Sequence, residues 1–155
     1  MHIEVIGNVD EARKEELTQK TVLVVDVLRA TSSIVTGLAH GAAEIVPAET
    51  ITQARRLQRE NVLIGGERFC RKPDGFDLGN SPFEYMKPEI RGKTIIMTTT
   101  NGTRAIQKAQ GGSAVFICSL LNARACALAA LETKRDVAIL CAGTQSRYSF
   151  EDGLC

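Results

Sequence analysis

Val22-Leu23-Val24-Val25 runs without a polar residue into Asp26, and Arg29-Ala30-Thr31-Ser32-Ser33 follows almost at once. An apolar run this short and this continuous fits a strand buried on both faces, as in a parallel sheet covered by helices. Comparable runs recur at 43–47, 61–66, 94–98, 114–118 and 136–143, and Val5-Ile6 makes a shorter one. Segments with apolar residues at helical spacing alternate with these runs in the first half. Ile34, Val35, Leu38 and Ala42 form one stripe; Ala54 and Leu57, joined by Ile51, form another behind a Thr50 cap, with Gln53 three residues on. Strand alternating with helix predicts right-handed crossovers and a mostly parallel sheet, an α/β protein.

At 155 residues and 44% hydrophobic content the chain has the size and core of one domain, 1–155. Nineteen basic residues against eighteen acidic ones leave a net charge of +1, which supplies no field for nucleic acid or an anionic membrane. No apolar run approaches the length of a membrane span and the amino terminus lacks a leader pattern, so a cytoplasmic location is expected. Five cysteines form no C-x-x-C pair, and the two histidines, His2 and His40, offer neither a zinc set nor a base for Cys141. Cys141 therefore reads as a packing residue. The alanine- and leucine-rich segment from about Leu121 to Leu131 reads as a helix buried in the layer beside the sheet.

Ligands of open α/β sheets bind at the carboxyl ends of strands, and here those ends are polar. After the strand at 22–25, Asp26 can hold a metal, Arg29 is a cation, and Thr31, Ser32 or Ser33 can cap a helix whose first N–H groups face an anion. The plainer alternative has Asp26 capping the helix and Arg29 pairing with it on the surface. Thr98-Thr99-Thr100-Asn101-Gly102-Thr103-Arg104 repeats the design: Gly102 admits a close ligand, hydroxyls and N–H groups donate to phosphate oxygens, and Arg104 can grip them bidentately. Its plainer alternative is a capped helix with Ala105, Ile106 and Ala109 inward. Between them lies a long polar stretch, with Glu67-Arg68 and then Asp77, Asn80 and Ser81. Those side chains offer oxygens to a hard cation, although Asp-Gly and Asn-Ser-Pro are also ordinary turn chemistry.

Val-Asp-Val-Leu-Arg-Ala-Thr-Ser at 25–32, Gly-Glu-Arg at 66–68, Phe-Asp-Leu-Gly-Asn-Ser-Pro at 76–82, Thr-Thr-Thr-Asn-Gly-Thr-Arg at 98–104, Cys-Ala-Gly at 141–143 and Glu-Asp-Gly at 151–153 together resemble the 2-phosphosulfolactate phosphatase (ComB-like) family. The resemblance covers nearly the whole chain. It implies a three-layer α/β/α sandwich and a magnesium-dependent phosphatase that converts 2-phospho-3-sulfolactate to 3-sulfolactate and phosphate, a step of coenzyme M biosynthesis in some organisms. Proteins similar to this one continue beyond Glu-Asp-Gly, so a domain incomplete at its carboxyl end is expected, less stable and less active than an extended form.

On this reading Mg2+ is the cofactor, held by Asp26 and Asp152 with Glu67 and Asp77 behind them. Arg29 and Arg104 act with Asp26 in catalysis. Thr31, Ser32, Arg68, Asn80, Thr100, Asn101, Gly102 and Arg147 bind a small anionic phosphorylated substrate. Asp26, Arg29, Asn101, Arg104 and Asp152 are expected to converge at one mouth of the sheet. Metal-activated water is the first choice of nucleophile. The second is Asp26 itself, as in the haloacid dehalogenase superfamily, although Leu28 stands where that motif has its second aspartate. A non-catalytic anion-binding protein is the reading from another class. No nucleic acid or membrane partner is expected, and a homo-oligomer is compatible with the pattern.

Overall fold

The computed structural model describes all residues, Met1–Cys155. In chain order the elements are β1 (Ile3–Ile6), α1 (Lys14–Leu17), β2 (Thr21–Val25), α2 (Ala30–Ala39), β3 (Glu44–Pro47), α3 (Ile51–Leu57) and β4 (Val62–Gly66). Two short 3-10 helices, Pro82–Met86 and Pro88–Ile90, interrupt the stretch before β5 (Thr94–Thr98), α4 (Gly102–Ala109), β6 (Ala114–Cys118), α5 (Ala123–Glu132), β7 (Val137–Cys141) and α6 (Phe150–Leu154). Every apolar run of the sequence is a strand, and every strand pairing is parallel.

The strands divide over two sheets, β1-β7-β2-β6 and β3-β5-β4, where one sheet was expected. Local pattern specifies each strand but not its neighbour, because parallel partners are joined only through crossovers. In the larger sheet β2 is central: Thr21 is opposite both Val137 and Ala114, and all five residues of β2 are buried. Burying Val22, Val24 and Val25 contributes roughly 1.5–3 kcal/mol each. Helices α2 and α4 lie against both sheets. A single core joins Val22, Val24 and Leu140 of one sheet to Ile95 and Met97 of the other through Ile34, Ala105, Ile106 and Ala109. On the far side of the smaller sheet, α3 packs Ala54 against Ile64 and Ile96. On the far side of the larger sheet, α5 packs Cys126 and Ala130 against Leu23, Val25 and Val137.

Two local readings change. Helix α2 begins at Ala30, so Thr31, Ser32 and Ser33 lie inside its first turn and cap nothing; the Ala30 N–H is taken instead by Asp26 Oδ1 at 3.2 Å. Helix α5 is an outer helix, with only Cys126 and Ala130 buried and with Leu128 and Leu131 half exposed. The Thr50 cap forms as read: its Oγ1 accepts the Gln53 N–H at 3.0 Å, while Gln53 Oε1 accepts the Glu49 N–H at 2.8 Å.

Candidate functional site

Four strands, two from each sheet, end at one cleft of about 160 Å3. Asp26 and Arg29 reach it from the end of β2, Gly143 and Thr144 from the end of β7, Glu67 from β4, and Thr100 and Asn101 from β5. Asn80 enters from the long loop, and Ser149, Glu151 and Asp152 from the start of α6. Leu28 and Phe69, 69% and 81% exposed, flank the mouth. The cleft is thus the meeting point of the carboxyl ends of two parallel sheets, a larger version of the position expected from one.

The hydroxyls around Asp26 hold it in place. Thr31 Oγ1 donates to the Asp26 carbonyl at 2.9 Å and accepts the Asp26 N–H at 3.1 Å. Ser32 Oγ donates to the Val27 carbonyl at 2.7 Å, and Ser33 Oγ donates to the carbonyl of Asn80 at 3.1 Å. All three hydroxyls are buried, so Thr31 and Ser32 fix the turn and do not reach a substrate as read from sequence. Gly102 also serves Asp26. A Cβ there would overlap Asp26 Oδ2 and the Ala30 side chain, so the glycine admits the carboxylate where a ligand was expected.

Three of the cleft's four acids are engaged differently. Asp152 is buried, with Oδ1 accepting the Val27 N–H at 2.8 Å and Oδ2 accepting the Gly143 N–H at 3.2 Å. It ties α6 to the ends of β2 and β7. Burial raises the pKa of Asp152, and the two N–H donors oppose that rise. Glu67 Oε1 accepts the Thr100 N–H at 2.6 Å; Oε2 accepts the Cys70 N–H at 2.8 Å and the Thr100 hydroxyl at 3.0 Å. Asp26 accepts the Ala30 N–H through Oδ1, the Arg29 backbone N–H also favours its charged form, and no side chain donates to its carboxylate. Desolvation first, then the Asp152 carboxylate and then Glu67, push Asp26 up to about 7.

The second hydroxyl-rich turn is largely used internally. Thr98 Oγ1 accepts from Arg68 at 2.8 Å, Thr99 Oγ1 accepts the Thr103 N–H at 3.0 Å, and Thr100 is held by Glu67. Arg104, expected at the mouth, points away. It pairs with Asp10 at 2.7 Å and lines a separate surface pocket with Lys14, Glu49, Gln107 and Lys108. Arg68 lies outside the cleft as well, bonded to Thr98 and the Glu49 carbonyl. Arg147 sits in an exposed turn bridged to Thr144. Asp77 is also elsewhere, with Oδ2 accepting the Ile64 N–H at 2.8 Å to tether the long loop to β4, the turn use its sequence allowed. Of the five residues expected to converge, Asp26, Arg29, Asn101 and Asp152 do and Arg104 does not; among the other candidates, Asn80, Thr100 and Glu67 line the same cleft, while Arg68, Arg147 and Asp77 lie outside it.

Sequence reasoning passed over Glu151, Ser149, Cys70 and Gln145, which also line the cleft. Glu151 belongs to a quoted motif, and its place beside Asp152 was the available signal. Cys141 is fully buried, and its thiol is pushed up to about 11 by burial and then by Asp152, which removes it as a nucleophile.

Four carboxylates, Asp26, Glu67, Asp152 and Glu151, face one guanidinium, Arg29, which has no ion-pair partner. No three of the chain's acids, histidines and cysteines are grouped closely enough to hold a metal ion by themselves. What the cleft does offer is the Asp26 carboxylate, to which only backbone N–H groups donate, and the Oδ1 of Asn80, which is buried and has no hydrogen-bond partner. Such an all-oxygen and incomplete set fits Mg2+, which takes one or two carboxylates and fills its remaining positions with water and phosphate oxygens.

Comparison with known proteins agrees with the geometry. The family model described as 2-phosphosulpholactate phosphatase matches residues 7–155. A protein of Thermotoga petrophila named probable 2-phosphosulfolactate phosphatase is 50% identical over 135 residues, 87% of this chain and 59% of its own length. Proteins of the same name from Clostridium beijerinckii and Clostridium acetobutylicum are 40% and 42% identical over 159 and 158 residues, all of this chain and 67% of their own length. The chain therefore spans about three fifths to two thirds of the relatives it matches.

Proposed function

The chain belongs to the 2-phosphosulpholactate phosphatase family, and from that premise we propose that its cleft serves the magnesium-dependent hydrolysis of 2-phospho-3-sulfolactate, or a close phosphorylated hydroxy acid, to the free hydroxy acid and phosphate. The observation that carries this reading is the charge imbalance of the cleft, four carboxylates to one arginine. A substrate with a phosphate of about −2 and further acidic groups is repelled by such a cleft unless a cation enters with it.

The Asp26 carboxylate and Asn80 Oδ1 are the groups we assign to the cation. When bound, Mg2+ supplies positive charge to the phosphoryl oxygens as charge develops on them. Arg29 makes the direct anionic contact, with a planar fork matched to phosphate, sulfonate or carboxylate. Asp152 and Glu67 hold the turns that frame the cleft rather than contributing free oxygens. In the reaction water adds to phosphorus, the bond from phosphorus to the substrate's C2 oxygen breaks, and that oxygen takes a proton. The covalent aspartyl route gains no support, because Leu28 at the rim supplies no second acid.

We propose a cytoplasmic location on the ground that all five cysteines are free; no helix is long and apolar enough to cross a membrane. The reading is tested by phosphate release from a panel of phosphorylated hydroxy acids with and without Mg2+. Release that requires Mg2+ and favours the sulfonated substrate supports it. Phosphate binding without turnover would favour the anion-binding alternative.

A further inference from the structure

The outer face of the larger sheet is only half covered. Parallel Cα partners share a face, so the pairs Ile3↔Val137 and Val5↔Ile139 place these four side chains on the same side as Leu23. Helix α5 covers that side over β6 and β2. A helix about 10 Å across spans about two strands at about 4.8 Å spacing, which leaves β7 and the edge strand β1 beside it. An apolar groove of about 240 Å3 lies there, walled by Ile3, Leu23, Leu131, Val137 and Ile139. Ile3 and Val5 are each 59% exposed and Leu131 is 51% exposed. The opposite face of the same sheet carries two helices, α2 and α4.

We propose that this groove is the docking site of one further amphipathic helix, contributed by the part of a family-length sequence that lies outside the matched region. Relatives that share this domain at 40–50% identity hold a third or more of their length outside it, which is ample for a helix of three or four turns. The groove is one helix wide and apolar throughout, so its occupant needs an apolar stripe at helical spacing and a polar outer face. Docking there adds a second helix to the outer face, matching the two of the inner face. The proposal rests on family membership and is independent of the chemistry of the cleft, so the two fail separately.

The unmatched segment of the Clostridium beijerinckii relative, produced as a separate polypeptide, is the probe. Titrated into the 155-residue chain, it is expected to form a 1:1 complex by light scattering and to protect the amides of Ile3–Ile6 from hydrogen exchange. Ile3→Lys combined with Val5→Lys is expected to weaken the complex about tenfold or more, since buried apolar contacts are replaced by charge. Leu57→Lys, on the exposed side of α3, should leave it unchanged. Where the segment does not stay soluble alone, the same segment fused to the chain at the end where the relative carries it gives the second reading, through protection of β1 relative to the unfused chain. A complex indifferent to Ile3 and Val5 overturns the proposal, as does a fusion with β1 unprotected. So does a dimer of the 155-residue chain that persists with the segment present and dissociates on Ile3→Lys, which would make a second copy the occupant.

Discussion

The turns after β2 and β5 have nearly the same sequence design, yet they end up with different work. Both follow a buried strand, both carry three hydroxyls, and both place an arginine by the next helix. After β2 the arginine precedes the helix, and Arg29 stands at the cleft without a carboxylate partner. After β5 the arginine is the third residue of α4, and the extra turn of backbone carries Arg104 round to Asp10. At about 100° per helical residue, two or three positions suffice to move a side chain to another face. The β5 turn instead contributes Thr100, Asn101 and the space at Gly102 into which Asp26 fits. On the proposed function, one turn supplies the chemistry and the other supports it.

Five substitutions test that contrast. Asp26→Asn, the largest, is expected to lower Mg2+-dependent turnover on the order of a thousandfold with an unchanged near-ultraviolet circular dichroism spectrum. Arg29→Ala should cost about a hundredfold in kcat/KM, while Arg104→Ala, which loses an exposed pair worth about 1 kcal/mol or less, should change it less than about threefold. Equal losses would place both turns in the site. Gly102→Ala should destabilise the fold by about 1–3 kcal/mol in urea melts and lower activity with it, because the added methyl meets Asp26 and Ala30. Thr31→Val, which removes the hydroxyl that fixes the Asp26 backbone, should cost about 1 kcal/mol and several-fold in kcat with little change in KM.

The pH dependence follows from Asp26. Its pKa in the fold, about 7, lies above its ordinary 3.8, so the folded state binds the extra proton and stability falls as pH rises between these values. Asp26→Asn removes that penalty. Without Mg2+ the variant should be more stable than the parent at pH 8, by about 1–3 kcal/mol in denaturant melts, and the gap should close near pH 4. A gap that is constant with pH would show that burial and the neighbouring acids do not act on Asp26 as described.

Much of this was legible in the sequence where a signal is local. Each apolar run became a strand, Thr50 capped α3, and Asp26 lies at the carboxyl end of a buried strand beside other polar groups. What was not legible depended on distant partners. The division into two sheets is a matter of which crossovers pair, which no single run encodes. The hydroxyls at 31–33 and 98–100 looked ready for a ligand, but their bonds go to backbone and side chains of the framework, such as the Asn80 carbonyl and Glu67. Arg68 and Asp77 similarly found partners in Thr98 and Ile64. Polar residues at strand ends mark the neighbourhood of a site, and the backbone they satisfy decides which of them remain free to act.

The proposed function puts the cation and the phosphate at the Asp26 cleft and not at the Arg104 pocket. Amide NMR during titration with Mg2+ and then inorganic phosphate tests it directly. Shifts concentrated at Val27, Asn80, Asn101 and Gly143 are expected, with their loss in Asp26→Asn. Shifts centred on Asp10, Arg104 and Lys108, or shifts at the cleft that survive Asp26→Asn, would contradict it.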